Sequence, residues 1–298
     1  MAVGAVALVV LSGCSVPSPD AAQPAGEPAP SASPTLAVAP YAAEFEALEA
    51  AFDARLGVYA IDTATGREVA FRADERFAYA STFKALAAAA VLQKNTMSEM
   101  EEVVTFSSGD LITYSPVTET RVDGGMTLLE IADAAVRFSD NTAGNLLLDE
   151  LGGPGGFDAA LAAIGDDTTR AERWEAGLND AVPGDPRDTT SPRAFATDLE
   201  EFALGDAMSG EKQAVLIEML KTNTTGATLI RAGVPADWVV GDKTGSGGYG
   251  VRNDIAIVWP PGADPIVLAI MSTRDSPDAS RDDALIAQAA AAVVAALG

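Results

Sequence analysis

Four short runs carry side chains that could do covalent chemistry. Ser81-Thr82-Phe83-Lys84 sets a hydroxyl and an amine three residues apart at the head of a helix-patterned, alanine-rich stretch. On a helix those two side chains share one face, one turn apart. A helix N-terminus offers free N–H groups and the positive end of the dipole, so a lysine held there loses affinity for its proton. Once neutral, it can deprotonate the serine and make it a nucleophile. Ser139-Asp140-Asn141 lies between two helical stretches, and Lys243-Thr244-Gly245 ends a β-patterned run. Arg173-Trp174-Glu175-Ala176-Gly177-Leu178-Asn179 sits in a long aperiodic stretch and brings a carboxylate suited to activating water.

Composition narrows the chemistry further. The chain has no histidine, which excludes a Ser-His-Asp or Cys-His machine and a His-ligated zinc site. Its single cysteine, Cys14, allows no intrachain disulfide and no catalytic thiol in the body of the protein. Acid–base work therefore falls to carboxylates, lysines or tyrosines. No metal or organic cofactor is expected. A net charge of −24 argues against nucleic acid and anionic membrane surfaces as partners. Only Asp20 and Glu27 lie outside residues 41–298, so the acidity belongs to the body and reads as solubility.

Ser-x-x-Lys alone is a weak signal, with about 0.3 chance matches expected at this composition. A second one exists, Ser209-Gly210-Glu211-Lys212, where Ser209 sits at the N-cap position of a helical stretch. The other two triplets each have a chance expectation of about 0.03. Taken singly, Ser-Asp-Asn could be a helix-to-helix turn capped by Asn141, and Lys-Thr-Gly a strand end with a solvated lysine. Their order behind Ser81 is what selects that serine.

The elements that must position these groups follow from periodicity. Residues 41–53 read as a helix. Runs 55–62 and 67–72 read as a hairpin, joined by 63–66. Stretches 81–93, 127–138, 141–151, 155–164, 192–204 and 209–221 read as helices, and 166–191 as a long functional loop. Runs 238–244, 253–259 and 265–272 read as strands, before a final helix over 280–297. The fold class expected is α+β. Both chain ends build an antiparallel sheet flanked by helices, an α/β/α sandwich. An inserted all-helical lobe completes it, with the site in the cleft between them. Ahead of this body, residues 1–13 read as an export signal with an apolar run over 3–11, too short to span a bilayer. Residues 14–40, rich in Pro, Ala and Ser, read as a disordered tether. No Lys or Arg precedes Arg55, so either the signal is atypical or the start lies upstream.

Leu11-Ser12-Gly13-Cys14 resembles a bacterial lipobox, which implies lipidation of Cys14 and a cell-envelope lipoprotein, or else a secreted protein. Over nearly all of 41–298 the chain resembles the class A serine β-lactamases. The three triplets, Tyr114-Ser115-Pro116-Val117-Thr118-Glu119 and Ala236-Asp237-Trp238-Val239-Val240-Gly241-Asp242 all match. Penicillin-binding proteins share the triplets. The run Arg173 to Asn179, which resembles the class A omega loop, separates the two groups.

The resemblance implies hydrolysis of penicillins and cephalosporins, hence antibiotic resistance. Ser81 would be the nucleophile, assisted by Lys84 or by Glu175 through water. Glu175 and Asn179 would hold the deacylating water. The backbone N–H groups of Ser81 and Ser246 would form the oxyanion hole, and Ser139 would pass a proton to the ring nitrogen. Asn141 would bind the substrate's side-chain amide. Lys243, Thr244, Gly245 and Arg252 would face its carboxylate, and Tyr114 would wall the entrance. The resemblance also implies an Arg173–Asp188 ion pair. In that family proline often follows the glutamate, in a cis peptide; this chain has Ala176, so either the fold imposes a cis bond there or this loop differs. A monomer is expected, touching membranes only through its anchor. The alternatives are a D,D-peptidase and a non-hydrolytic β-lactam sensor.

Overall fold

The computed structural model describes residues 41–297 together with residues 1, 2, 4, 5, 7–11 and 13. The tether expected over 14–40, Cys14 included, lies outside the described residues. In chain order the elements are α1 (Ala42–Phe52), β1 (Arg55–Asp62), β2 (Glu68–Phe71), β3 (Phe77–Ala78), α2 (Phe83–Lys94), β4 (Val103–Val104), β5 (Met126–Thr127), α3 (Leu128–Arg137) and α4 (Asn141–Leu151). Then follow α5 (Pro154–Ala163), β6 (Thr189–Thr190), α6 (Pro192–Ala203), α7 (Gly210–Lys221), α8 (Ile230–Gly233), β7 (Val239–Ser246), β8 (Arg252–Trp259), β9 (Ile266–Thr273) and α9 (Asp283–Leu297).

The main sheet is antiparallel with order β2-β1-β9-β8-β7. Strands β1 and β9 and the second half of β8 carry continuous apolar runs because both faces are covered, whereas β7 carries the polar Asp242, Lys243 and Thr244. The period of two assigns alternate residues to opposite layers. Ile255 and Ile257 of β8 and Val267, Ala269 and Met271 of β9 face the core shared with α2, α6 and α7. Ala256, Val258, Leu268 and Ile270 face the core shared with α1 and α9. The first and last strands of the fold pair along their full length, from Arg55↔Thr273 to Asp62↔Ile266. The expected sandwich is therefore present, and α2 to α5 build the helical lobe.

Caps explain the element ends around the site. The α3 helix starts on a reciprocal box, with Thr127 Oγ1 accepting from Glu130 N–H (3.1 Å) and Glu130 Oε2 accepting from Thr127 N–H (2.9 Å). Asp140 caps α4 by accepting from Ala143 N–H (2.9 Å). The cap is thus Asp140 and not Asn141, which leaves the Asn141 amide free for other work. Ser191 caps α6 with Pro192 in its first turn, closing the long loop.

Two local readings change. Ser81 sits in a 3-10 turn, Ala80–Thr82, just ahead of α2, and β7 runs on to Ser246. The long loop is aperiodic as expected, yet Thr189 and Thr190 pair with β3, and Arg170 bridges to Thr189.

Candidate active site

Three elements converge on Ser81. The turn that carries it is pulled against the sheet by Asn253 of β8, whose Nδ2 donates to the carbonyls of Ala78 (2.8 Å) and Tyr79 (3.2 Å). On the neighbouring strand β7, Gly245 faces the same turn. A Cβ at Gly245 would sit 2.9 Å from Tyr79 O and 3.2 Å from Thr82 N, so only glycine permits this approach. From the lobe side, α4 passes so close that a Cβ at Gly144 would come within 2.7 Å of Lys84 Cε.

Lys84 is fully buried and lies among four oxygens. Its Nζ donates to Ser81 Oγ (3.0 Å), Ser139 O (2.9 Å) and Asn141 Oδ1 (2.6 Å), and lies 2.9 Å from Glu175 Oε1. Ser81 Oγ in turn donates to Glu175 Oε1 (3.3 Å). The other carboxylate oxygen of Glu175 accepts from Asn179 Nδ2. Burial holds the Lys84 ammonium below the usual lysine range, and the Glu175 charge opposes that shift.

Across the site, Lys243 Nζ donates to Ser139 Oγ (3.0 Å) and to Thr244 O (2.8 Å). Ser139 therefore stands between two buried lysines, its backbone in the left-handed region at φ 57°. Desolvation, with the Lys84 charge second, pushes Lys243 well below the ordinary lysine value. Thr244 Oγ1 is 2.7 Å from Thr225 Oγ1. Among the described residues no group of three or more His, Cys, Asp or Glu is arranged to hold a metal ion. A cavity of about 790 Å³ between α3 and α7 is lined by no serine, cysteine or lysine, so the chemistry does not sit there.

The family model described as the β-lactamase enzyme family matches residues 40–297. The β-lactamase of Amycolatopsis lactamdurans is 62% identical over 255 residues, covering 86% of this chain and 84% of that protein. That of Bacillus subtilis strain 168 is 56% identical, covering 84% of this chain and 82% of that one. Among solved structures, a class A β-lactamase from Clostridium kluyveri DSM 555 superposes with a TM-score of 0.85 at 50% identity. The match covers 86% of this chain and 98% of that one. The chain belongs to the class A β-lactamase family.

The loop that distinguishes this family from its penicillin-binding relatives is locked from several sides. The side chain of Asp188 is fully buried and pairs with Arg173 Nε. It also accepts from the backbone N–H of Glu172 and Arg173 (both 2.9 Å) and from Tyr79 O–H (3.2 Å). Arg173 reaches Asp180 as well (2.9 Å). The Glu175–Ala176 peptide is cis.

Sequence reasoning missed Asn145, which clamps the backbone of Glu175. Its Oδ1 accepts from Glu175 N–H (2.9 Å) and its Nδ2 donates to Glu175 O (3.1 Å). The available signal was its spacing, four residues after Asn141 on the same face of α4. Two expected class A β-lactamase residues are engaged differently from a simple open pocket. Arg252 lies opposite Ser246 in the β7–β8 register, but its Nε and Nη2 donate to Asp283 (2.6 and 3.2 Å). Asn141 Nδ2 donates to Thr113 O (2.7 Å). Tyr114 is exposed at the rim, at φ 66°, and its carbonyl accepts from Asn141 N–H (3.0 Å). The rival pair is elsewhere: Ser209 is exposed, and Lys212 Nζ donates to Gln93 O (3.3 Å).

Proposed function

We propose that this protein opens β-lactam antibiotics through a serine acyl-enzyme and clears the ester with a Glu175-activated water. The observation that carries the reading is the meeting at Ser81 Oγ of a buried amine at 3.0 Å and a buried carboxylate at 3.3 Å. The carboxylate is anchored independently of the serine by Asn179, and Asn145 holds the backbone of Glu175. An amine alone would support acylation. Deacylation needs the second base, because the amine expelled from the lactam stays tethered to the product and only water can release it.

In this reading Ser81 attacks the lactam carbonyl. Lys84 donates to Oγ while Oγ donates to Glu175, and these directions favour Glu175 as the first proton acceptor, with Lys84 stabilising the alkoxide. The backbone N–H groups of Ser81 and Ser246 receive the oxyanion, at the seam that Gly245 keeps narrow. Ser139, bridged to Lys243, delivers the proton to the ring nitrogen. Lys243, Thr244 and Arg252 draw the substrate carboxylate, with Arg252 partly neutralised by Asp283. Asn141 binds the side-chain amide and Tyr114 borders the entrance. Penicillins and cephalosporins are the substrates proposed.

Mixing the purified protein with a chromogenic cephalosporin, and following both product and protein mass, tests the reading. Many turnovers per molecule are expected. A single stoichiometric burst with a persistent adduct would instead indicate a D,D-peptidase or a sensor.

The envelope location is proposed separately, on the lipobox-like run ending at Cys14. Among the described residues no helix is long and apolar enough to cross a membrane. Cys14→Ser should move the protein from the membrane to the soluble or medium fraction. Unchanged membrane association would refute the anchor and leave the enzyme reading intact.

A further inference from the structure

The stem of the Glu175 loop meets α6 through two carboxyl groups that the reaction does not use. Asp166 opens the loop after α5. Its Oδ1 accepts from the N–H groups of Thr168 (2.7 Å) and Thr169 (3.1 Å), which sets the first turn of the stem. Thr169 Oγ1 then meets Thr190 Oγ1 at 2.7 Å, and Arg170 and Thr189 exchange backbone hydrogen bonds. The far end of the stem runs directly into α6. On that helix Asp198 is only 3% exposed and lines the same small cavity as Asp166. Oδ2 of Asp166 and Oδ2 of Asp198 are both buried, and neither has an N–H or O–H partner in the protein.

Two buried carboxylate oxygens without donors cannot lie in contact while both are charged. One proton removes the conflict, because a carboxylic acid donates where a carboxylate accepts. Among the described residues no cation pairs with either oxygen: Arg76, the guanidinium on the stem, donates to Thr168 O (2.5 Å) and Thr189 Oγ1 (2.9 Å). The adjoining cavity, about 180 Å³, is lined by Asp74 from the β2–β3 connection, Asp167 from the loop and Glu201 from α6. Its one guanidinium, Arg193 of α6, is turned to Asp74 (2.7 Å) and Glu68 (2.8 Å). On α5, Asp158 adds a further negative charge near Asp166.

We propose that Asp198 is a positioning residue for deacylation: it shares one proton with Asp166, and that hydrogen bond pins the stem of the loop that carries Glu175 to α6. The proposal rests on the hydrolytic role of Glu175. Burial, with the Asp166 charge second, pushes Asp198 up to about 9. Its folded value therefore lies above its unfolded value of about 4. The stability it contributes is fully present below about pH 4 and is lost as pH rises toward about 9. The loss is about tenfold in the folding equilibrium per pH unit across that window. Above about 9 Asp198 ionises, the stem separates from α6, and Glu175 loses its placement.

Asp198→Asn keeps a donor toward Asp166 and cannot ionise. The variant should melt higher than wild type at pH 8, with a shallower dependence of Tm on pH between 5 and 9. At pH 10, where only about a tenth of Asp198 stays protonated, wild-type deacylation should fall about tenfold and acyl-enzyme should accumulate. The Asn variant should show neither change, and Asp166→Asn should match it. Superimposable Tm–pH curves for wild type and Asp198→Asn would overturn the shared proton. An alkaline loss of deacylation equal in both proteins would overturn the positioning role. A calcium-dependent rise in Tm seen in wild type and lost in Asp198→Asn would show that a metal ion, not a proton, joins the pair. If wild type formed no acyl-enzyme at any pH, the hydrolytic reading would fail, and the Tm–pH comparison would still decide whether the proton is shared.

Discussion

Replacing Glu175 by glutamine should split the reaction into its two halves, and the hydrogen bonds around that side chain say how. Both oxygens of the carboxylate accept: Oε1 from Ser81 Oγ and Lys84 Nζ, Oε2 from Asn179 Nδ2. Glutamine offers one acceptor and one donor group. Whichever way it turns, its NH₂ meets either Asn179 or Lys84. Facing Asn179 it would oppose another NH₂. Facing Ser81 and Lys84 it can donate to Ser81 Oγ, which leaves the single lone pair of a neutral Lys84 free to accept from the serine O–H. The second arrangement is favoured, because losing the Glu175 charge removes what opposes the desolvation of Lys84. Lys84 then becomes neutral and able to take the proton of Ser81, so acylation should persist. Deacylation loses its general base, worth about 10²–10⁴-fold, or roughly 2.7–5.5 kcal/mol of barrier. If the two steps run at similar rates in wild type, a hundredfold fall in the second leaves about 99% of the enzyme acylated at steady state. Stopped-flow mixing with benzylpenicillin and intact mass measurement read both quantities. Wild-type turnover with no adduct would refute the assignment of Glu175. Loss of adduct formation together with turnover would refute the argument that Lys84 can act once the carboxylate charge is gone.

Three further outcomes are expected. Gly245→Ala pushes a Cβ against the backbone of Tyr79 and Thr82, groups that cannot rotate away. It should cost about 1–3 kcal/mol in denaturant unfolding, and turnover should fall by about a hundredfold if β7 shifts by 1 Å. Ser81→Ala should abolish acylation, whereas Ser209→Ala should stay within about 0.5 kcal/mol of wild type in thermal unfolding, since its hydroxyl makes no cap hydrogen bond. Arg173→Ala strands the buried Asp188, which keeps its bonds to Tyr79 and two backbone N–H groups. The loss should therefore lie near the lower end of the range for a broken buried pair, about 3 kcal/mol, and single-turnover kinetics should show deacylation falling more than acylation.

How much of this could be read from the chain depends on the range of the forces involved. The helices and long strands are local: α4, β1 and β9 lie within two residues of the ranges their apolar periods set. The residues around Ser81 were recoverable because their types are unusual together and their order repeats a known pattern. What escaped depends on partners far apart in sequence. The pairing of β1 with β9 joins residues some 200 positions apart, and period alone cannot say which strand lies beside which. Asp140 outcompeted Asn141 for the α4 cap because it also collects Val117 N–H, Thr118 N–H and Thr118 O–H from the loop beside Tyr114. That loop is visible only in the fold, and its claim on Asp140 is what leaves the Asn141 amide for Lys84 and Thr113. Asp283 and Asp198 read locally as ordinary helix acids. One becomes the partner of Arg252 and the other the partner of Asp166 only when α9 and α6 dock. Catalytic side chains must be specific types, so they announce themselves in a sequence. The groups that hold them in register need only the right charge in the right place, and folding alone decides where that place is.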